Sequence, residues 1–252
     1  MNKIALITGA TSGIGKAAAL LLAKNKFDLI LTGRRKDRLA VITEEINQNY
    51  DIKVLPLSFD VREYEEVKKY LEDLPLEWQN IEVLVNNAGL AVGADTIDKG
   101  EIDDWNRMID TNVKGLLYVS KMIMPLLIER GKGHILNIAS IAGKEVYQNG
   151  NVYCATKHAV DALSKAMRID LLPHNIKVTN IAPGMIDTEF SVVRYKGDQE
   201  KADNVYRNME PLLANDIAEI ILFAVQRPRH VTLNDIVVMP TVQANTSHLK
   251  RE

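Results

Sequence analysis

Cysteine is nearly absent from this chain of 252 residues: Cys154 is the only one. One thiol cannot build a disulfide framework or a thiolate metal cluster, so a reducing, cytoplasmic setting is expected. Neither charge is in clear excess, with 31 Lys and Arg against 33 Asp and Glu for a net charge of −2, and no arginine- or lysine-rich stripe occurs. That balance argues against a nucleic-acid partner. Long hydrophobic runs are missing too. The longest, LLYVSKMIMPLLI at 116–128, is broken by Lys121 and Pro125 and is too short for a bilayer, so no membrane partner is expected. Met1 leads within three residues into IALIT, which leaves no room for a signal peptide and makes the Asn245-Thr246-Ser247 sequon accidental. His134, His158 and His174 lack a metal-ligand spacing and no acidic cluster supplements them, so no metal is expected.

Apolar runs alternate with helical patterns. IALIT (4–8), DLILTG (28–33), KVLPLSFD (53–60), IEVLVNNAG (81–89), GHILNIAS (133–140), IKVTNIAPG (176–184) and a last run around 236–239 read as strands. Between them the spacing predicts helices near 13–25, 35–49, 63–73, 103–129, 151–172 and 215–227. Strand–helix alternation implies an α/β fold, a doubly wound parallel sheet covered on both faces. The near-continuous apolar strands agree with two buried faces. No linker or repeat divides the chain, so 1–252 reads as one domain, with 241–252 as a polar C-terminal tail. Helices 103–129 and 151–172 are apolar around most of their circumference, whereas packing on a sheet needs a single stripe. A second subunit against those helices is one explanation; a thicker core within one chain is the other.

IALIT opens into Gly9-Ala10-Thr11-Ser12-Gly13-Ile14-Gly15 and then a helix. Gly9 suits a tight turn, Gly13 lets backbone approach a pyrophosphate at the helix N-terminus, and Gly15 lets helix pack on strand, with Thr11, Ser12 and Ile14 completing the loop. A glycine triplet alone is weak; at the first strand–helix junction of an alternating chain it is a dinucleotide signature. After the second strand, where an acid would favour NAD, the chain reads Thr32-Gly33-Arg34-Arg35. Two guanidiniums suit a 2′-phosphate, so NADP is the expected cofactor, against the plainer reading of a solvated basic helix start. Asp60, beside Val61 at the end of the third strand, suits either an adenine amino group or the cap of the next helix.

Tyr153 and Lys157 stand four residues apart on a predicted helix, with Ser140 upstream. Residues at i and i+4 share a helix face. A free tyrosine has a pKa near ~10 and each tenfold change in ionisation costs about 1.4 kcal/mol. An ammonium at ~4 Å can supply on the order of 4 kcal/mol, enough to make the phenol an acid/base near neutrality. Such a pair arises often by chance, and Ser140 or Asn112 alone would read as a strand end and a satisfied helix polar group. Cys154, next to the tyrosine, reads as a small buried filler rather than a redox thiol.

TGATSGIG, NNAG at 86–89, Asn112 in IDTNVKG, Ser140 and YCATK together resemble the short-chain dehydrogenase/reductase family over essentially the whole chain. The resemblance implies a seven-stranded Rossmann sheet and hydride transfer between NADP and a carbinol or carbonyl carbon. It implies Tyr153 as the acid/base, Lys157 as the group that lowers its pKa and holds the nicotinamide ribose, and Ser140 as a partner of the substrate oxygen. Asn112 would fix a water in a proton path. Asn87, Ala88 and Gly89 would line the cofactor cleft, and Pro183, Gly184 and Thr188 would hold its nicotinamide end. A tetramer is the family precedent.

Within the family, WQNIEVLVNNAGLAVG, DTNVKGLLYV, NGNVYCATK, TEFSVVRYKGD and HVTLNDIVVMPTVQA resemble the NADP-dependent 3-hydroxy acid dehydrogenases. That group acts on serine and L-allo-threonine and reduces malonic semialdehyde. PGMIDTEF is one residue shorter than the loop expected there, which leaves the shape of the substrate lid open. The glycine-rich ending usual in reductases of 3-oxoacyl carrier protein is absent. A hydroxy acid needs a cation, and Arg194, Lys196 and Lys144 are the candidates, against the reading that such side chains are simply solvated. Reductases of ketones, diketones or pterins, and a non-catalytic NADP sensor, are the alternatives.

Overall fold

The computed structural model describes residues 2–252. In chain order the elements are β1 (Lys3–Ile7), α1 (Gly13–Lys24), β2 (Phe27–Thr32), α2 (Lys36–Asn49), β3 (Val54–Leu57), α3 (Tyr64–Glu72), β4 (Ile81–Asn86), α4 (Ile102–Ile109), α5 (Leu116–Arg130) and β5 (Gly133–Ile138). There follow α6 (Asn151–Asp170), β6 (Ile176–Pro183), β7 (Ile186–Asp187), α7 (Phe190–Arg194), α8 (Gln199–Val205), β8 (Leu212–Leu213), α9 (Ala214–Val225) and β9 (Asp235–Val238).

Seven strands form one parallel sheet in the order β3-β2-β1-β4-β5-β6-β9, the doubly wound arrangement of a Rossmann fold. The order reverses between β1 and β4, so the ends of these two strands open a crevice for a ligand. Successive side chains of each strand supply opposite cores. Ile4, Leu6, Ile30, Leu84, Ile135 and Val178 meet helices α3, α5 and α6 on one face. Ala5, Ile7, Leu29, Leu31, Val83, Val85, Leu136 and Ile181 meet α1, α2 and α9 on the other. Both faces are thus apolar, which is why the strands read as unbroken runs.

The helix expected over 103–129 is interrupted: Asp110–Gly115 forms a π-helical turn between α4 and α5. An extra residue in a turn advances the helix phase by about 100°. Before the turn, Asp104 and Met108 are buried; after it, the inward face is Leu116, Val119, Ser120, Ile123 and Leu127. Part of the apolar circumference read from the sequence is this phase slip, two inward stripes laid end to end. Some apolar side chains still face out, among them Ile102, Ile109 and Leu117 here and Ile169 on α6.

The third strand ends at Leu57, so Asp60 lies in the following loop. Between β6 and α9 the chain builds a lid that the sequence reading left without elements. It consists of the short parallel ribbon β7–β8 and the helices α7 and α8. Residues 241–252 fold back onto this lid: Gln243 is buried and its Oε1 accepts from Met185 N at 2.8 Å. Glu145 accepts from both the main-chain N–H and the hydroxyl of Thr246.

Candidate active site

A cleft of about 630 Å³ runs over the ends of β1 and β4 and under the lid. Gly9 and Gly13 both adopt the left-handed conformation, with φ of 66° and 51°, which a side chain would strain. A Cβ on Gly15 would strike the Gly9 carbonyl and Asn87 Nδ2, so this glycine does not line the cleft but lets α1 seat against the turn. Asn87 braces the same turn, its Nδ2 donating to Thr8 O at 2.8 Å and Gly9 O at 3.2 Å. Thr8 Oγ1 accepts from the main-chain N–H groups of Asn87 and Ala88, both at 2.9 Å. The glycine loop and the NNAG turn are therefore one braced unit, floored by Thr11, Ser12 and Ile14 and walled by Val61, Ala88 and Gly89.

Arg34 and Arg35 both reach the cleft at its outer end, but they are not equivalent. Arg34 is half exposed, its nearest anion being Asp60 Oδ2 at 3.5 Å. Arg35 is held by four bonds: it donates to Ser12 Oγ at 2.7 Å, to Thr11 Oγ1 from two nitrogens and to Glu189 Oε2 at 2.9 Å. Asp60 does not line the cleft and does not cap α3, whose start has no side-chain cap. Its oxygens accept from the main chain and guanidinium of Arg62, at 2.7–3.0 Å, which leaves the helix-cap reading incorrect. The loop, the half-exposed Arg34 guanidinium and the long cleft fit a dinucleotide carrying a 2′-phosphate.

At the inner end, α6 presents Tyr153 and Lys157, both buried, beside Ser140 at the mouth of β5. Burial pushes the Tyr153 phenol above its ordinary pKa, with a hydrogen bond from Ser140 acting the other way. Lys157 Nζ lies 5.9 Å from the Tyr153 ring centre and donates to Ile138 O at 2.9 Å. Burial lowers its pKa to about 8. Desolvation is thus the largest influence on the phenol, and it acts against the lowering expected from Lys157. Ser140 Oγ accepts from Ala142 N at 3.1 Å and donates to Pro183 O at 3.4 Å, which ties it to the base of the lid. Pro183, Gly184 and Thr188 line the cleft there, and Thr188 packs over Gly13.

Asn112 sits in the π turn and outside the cleft lining. Both of its amide hydrogens are used, on Leu90 O and Thr156 Oγ1, and its Oδ1 accepts from Leu90 N at 2.8 Å. It clamps the segment after Gly89 to α6. Its Oδ1 and Lys157 Nζ are the two nearest atoms that a Cβ on Gly89 would meet, at 3.3 and 3.4 Å.

Of the three candidate cations, one faces the cleft. Arg194 lines it, donating to Tyr147 Oη at 2.8 Å, with its Nε buried and unpartnered. Lys196 points away on an exposed turn, its Nζ 2.7 Å from Asp104 Oδ2. Lys144 is drawn to the opposite side of its loop by Asp161 at 2.5 Å and Asp235 at 2.6 Å. Both lysines are corrected as substrate ligands, because each is neutralised by a carboxylate outside the cleft. Three features went unread in the sequence. Phe190 lies edge-on to the Tyr153 ring at 5.5 Å. Tyr147 shares the wall with Arg194. A buried ladder below the site links Asn86 to Ser120 and Asn137, and Asn137 to Ser164, at 2.9–3.0 Å. Polar residues inside apolar strands were the available signal for the ladder.

The short chain dehydrogenase family profile matches residues 3–199. An NADP-dependent 3-hydroxy acid dehydrogenase of Schizosaccharomyces pombe is 45% identical over 252 residues, 100% of this chain and 97% of that protein. Sulfoacetaldehyde reductase 2 of Chromohalobacter salexigens is 44% identical over 245 residues, 97% of this chain and 96% of that protein. The closed form of serine dehydrogenase complexed with NADP+ superposes with a TM-score of 0.93 at 40% identity, covering 99% of this chain and 100% of the other. Glycine loop, NNAG turn, and the serine, tyrosine and lysine around one cleft thus agree with the kinship of the whole sequence: the chain belongs to the short-chain dehydrogenase family.

Proposed function

We propose that the protein is an oxidoreductase that transfers a hydride between NADP and a small 3-hydroxy acid, of the serine, L-allo-threonine or 3-hydroxypropionate/malonic semialdehyde class. The observation that carries the substrate class is Arg194: a guanidinium in the cleft wall, held by Tyr147, with a buried Nε that no protein group satisfies. A buried donor left unpaired costs about 1–3 kcal/mol, and a carboxylate beside Tyr153 would relieve it.

Bound NADP supplies the hydride acceptor and NADPH the donor. Tyr153 takes the hydroxyl proton in oxidation and returns it to the carbonyl oxygen in reduction. Ser140 orients that oxygen, and its own position is fixed by Pro183 and Ala142. Lys157 holds a positive charge under the cleft, its pKa near about 8 making it able to pass a proton at neutral pH. The lid, through Phe190 and Arg194, excludes water from the reacting carbon. Gly9, Thr11, Ser12, Gly13, Ile14, Asn87 and the two arginines bind the cofactor, Gly15 seats α1 beneath them, and Asn112 clamps the segment after Gly89 to α6.

The test is a cofactor-by-substrate panel read by absorbance of the reduced nicotinamide. NADP with L-serine, L-allo-threonine, 3-hydroxypropionate and 3-hydroxyisobutyrate is expected to turn over, and neutral secondary alcohols to turn over poorly. Arg194→Met should raise KM for the acids about tenfold or more with little change for a neutral alcohol. Activity confined to neutral alcohols would sink the hydroxy-acid reading. Sulfoacetaldehyde belongs in the same panel, because the Arg194 donors would serve a sulfonate as well as a carboxylate.

The same reading extends to a cytoplasmic homotetramer whose contacts run through α4–α5 and α6. Supporting it are the outward apolar side chains of those helices, including Leu117 and Ile169. No helix among the described residues is long and apolar enough to cross a membrane. Light scattering of the purified protein checks the assembly.

A further inference from the structure

We infer that Glu189 is a specificity-setting carboxylate of the lid that competes with the cofactor's 2′-phosphate for Arg35 and is shared with Arg38. The inference rests on the NADP reading above. Glu189 stands at the start of α7, one residue beyond Thr188, which packs over Gly13 of the phosphate loop. Its two oxygens are divided: Oε2 accepts from Arg35 at 2.9 Å and Oε1 from Arg38. These two bonds hold its carboxyl below the ordinary pKa, so it carries a full charge at neutral pH.

Arg35 is the inner of the two guanidiniums that follow β2 and has four of its five donors on Ser12, Thr11 and Glu189. A 2′-phosphate that pairs with Arg35 meets a guanidinium already bonded to Glu189 through Nη1 and sits within a few ångströms of that carboxylate. Repulsion between like charges then opposes the dianion and not a plain ribose. Arg38 is the escape partner: once Arg35 turns to the phosphate, Glu189 stays paired on α2. The start of α7 thereby touches both ends of the cleft, Arg35 through Glu189 and the Tyr153 ring through Phe190. NADP binding is weaker than the two arginines alone would give, and its release is assisted by the returning carboxylate.

Fluorescence titration of the purified protein with NADPH and with NADH, in parent and Glu189→Gln, tests this. The amide keeps the size of the side chain and removes its charge. Expected is NADPH binding tighter by about three- to tenfold in the variant, with NADH changed less than about twofold. Equal effects on both cofactors, or weaker NADPH binding, would overturn the inference. The NADPH-to-NADH ratio of the parent reports separately on the cofactor reading, because it does not involve the variant.

Arg38→Met supplies the second arm. In the parent it should weaken NADPH by about threefold or more, since Glu189 then rests on Arg35 alone. In the Glu189→Gln background the same change should have no effect. A loss that persists there would show Arg38 meeting the phosphate itself and would overturn the shared carboxylate.

Discussion

Lys157 Nζ donates to the main-chain carbonyl of Ile138 at 2.9 Å, and no carboxylate pairs with it among the described residues. A buried ammonium with a neutral acceptor is a cation held against its desolvation cost. It is affordable only because the rest of the core, on both faces of the sheet, is closely apolar. The site therefore stores strain in a group that cofactor and substrate would meet as a ready charge.

That strain has a measurable sign. The folded pKa of Lys157 lies at about 8, below the ordinary 10.5. Below pH 8 both states hold the proton and the folded state bears the full cost. Between 8 and 10.5 the unfolded chain binds more protons, so stability rises with pH through that window. Lys157→Met should therefore be more stable than the parent at pH 7, by up to about 3 kcal/mol, while losing activity about a hundredfold or more. Urea unfolding at about pH 7 and about pH 9.5 reads this, and the difference should shrink at the higher pH. A parent that is the more stable of the two at pH 7 would contradict it.

Gly15→Ala should abolish cofactor binding and lower the melting temperature together. The added carbon meets the Gly9 carbonyl and Asn87 Nδ2, both parts of the braced turn, so neither can yield alone. Overpacking of this kind costs about 1–3 kcal/mol or more. Gly131→Ala is the control: its Cβ meets nothing within 4 Å, so only the left-handed φ of 61° is strained. It should leave NADPH binding unchanged with a loss of about 1 kcal/mol.

Asn137→Ala should destabilise the fold by about 3 kcal/mol or more, well beyond its size. It removes the partner of both Asn86 Nδ2 and Ser164 Oγ in a fully buried setting. Differential calorimetry gives the stability, and kcat should fall too, because the ladder joins β4, β5 and α6 beneath Tyr153. A variant with parental melting and parental kcat would show the ladder to be idle.

The sheet was legible because its strands are buried on both faces and so carry no alternation to misread, as in Leu29 to Leu31 and Val83 to Val85. The glycine loop and the Tyr153–Lys157 pair were legible because each is local in sequence. Lys144 was not: what fixes it is Asp235, 91 residues away. Lys196 was misplaced for the same reason, its partner Asp104 lying far away in sequence on α4. The π turn escaped because one extra residue leaves composition untouched, although the shift from Asp104 and Met108 to Val119 and Ile123 records it. The lid helix α8 carried one readable sign, Asp198, whose side chain accepts from Lys201 N as a cap. The burial of Tyr153 and Lys157, which shifts both groups, was not legible because sequence spacing says nothing about desolvation.

The fold-back of 241–252 sets an order on the birth of the enzyme. Arg251 donates to the main-chain carbonyls of Arg207 and Val205 at the end of α8, and Glu252 N donates to Asn208 O. Leu249 and Thr246 form part of the cleft itself. On a ribosome the phosphate loop emerges long before residues 246–252 and can fold early. The wall of the cleft is complete only once Thr246 and Leu249 have emerged and folded back, so the phosphate loop takes shape before the cleft is closed.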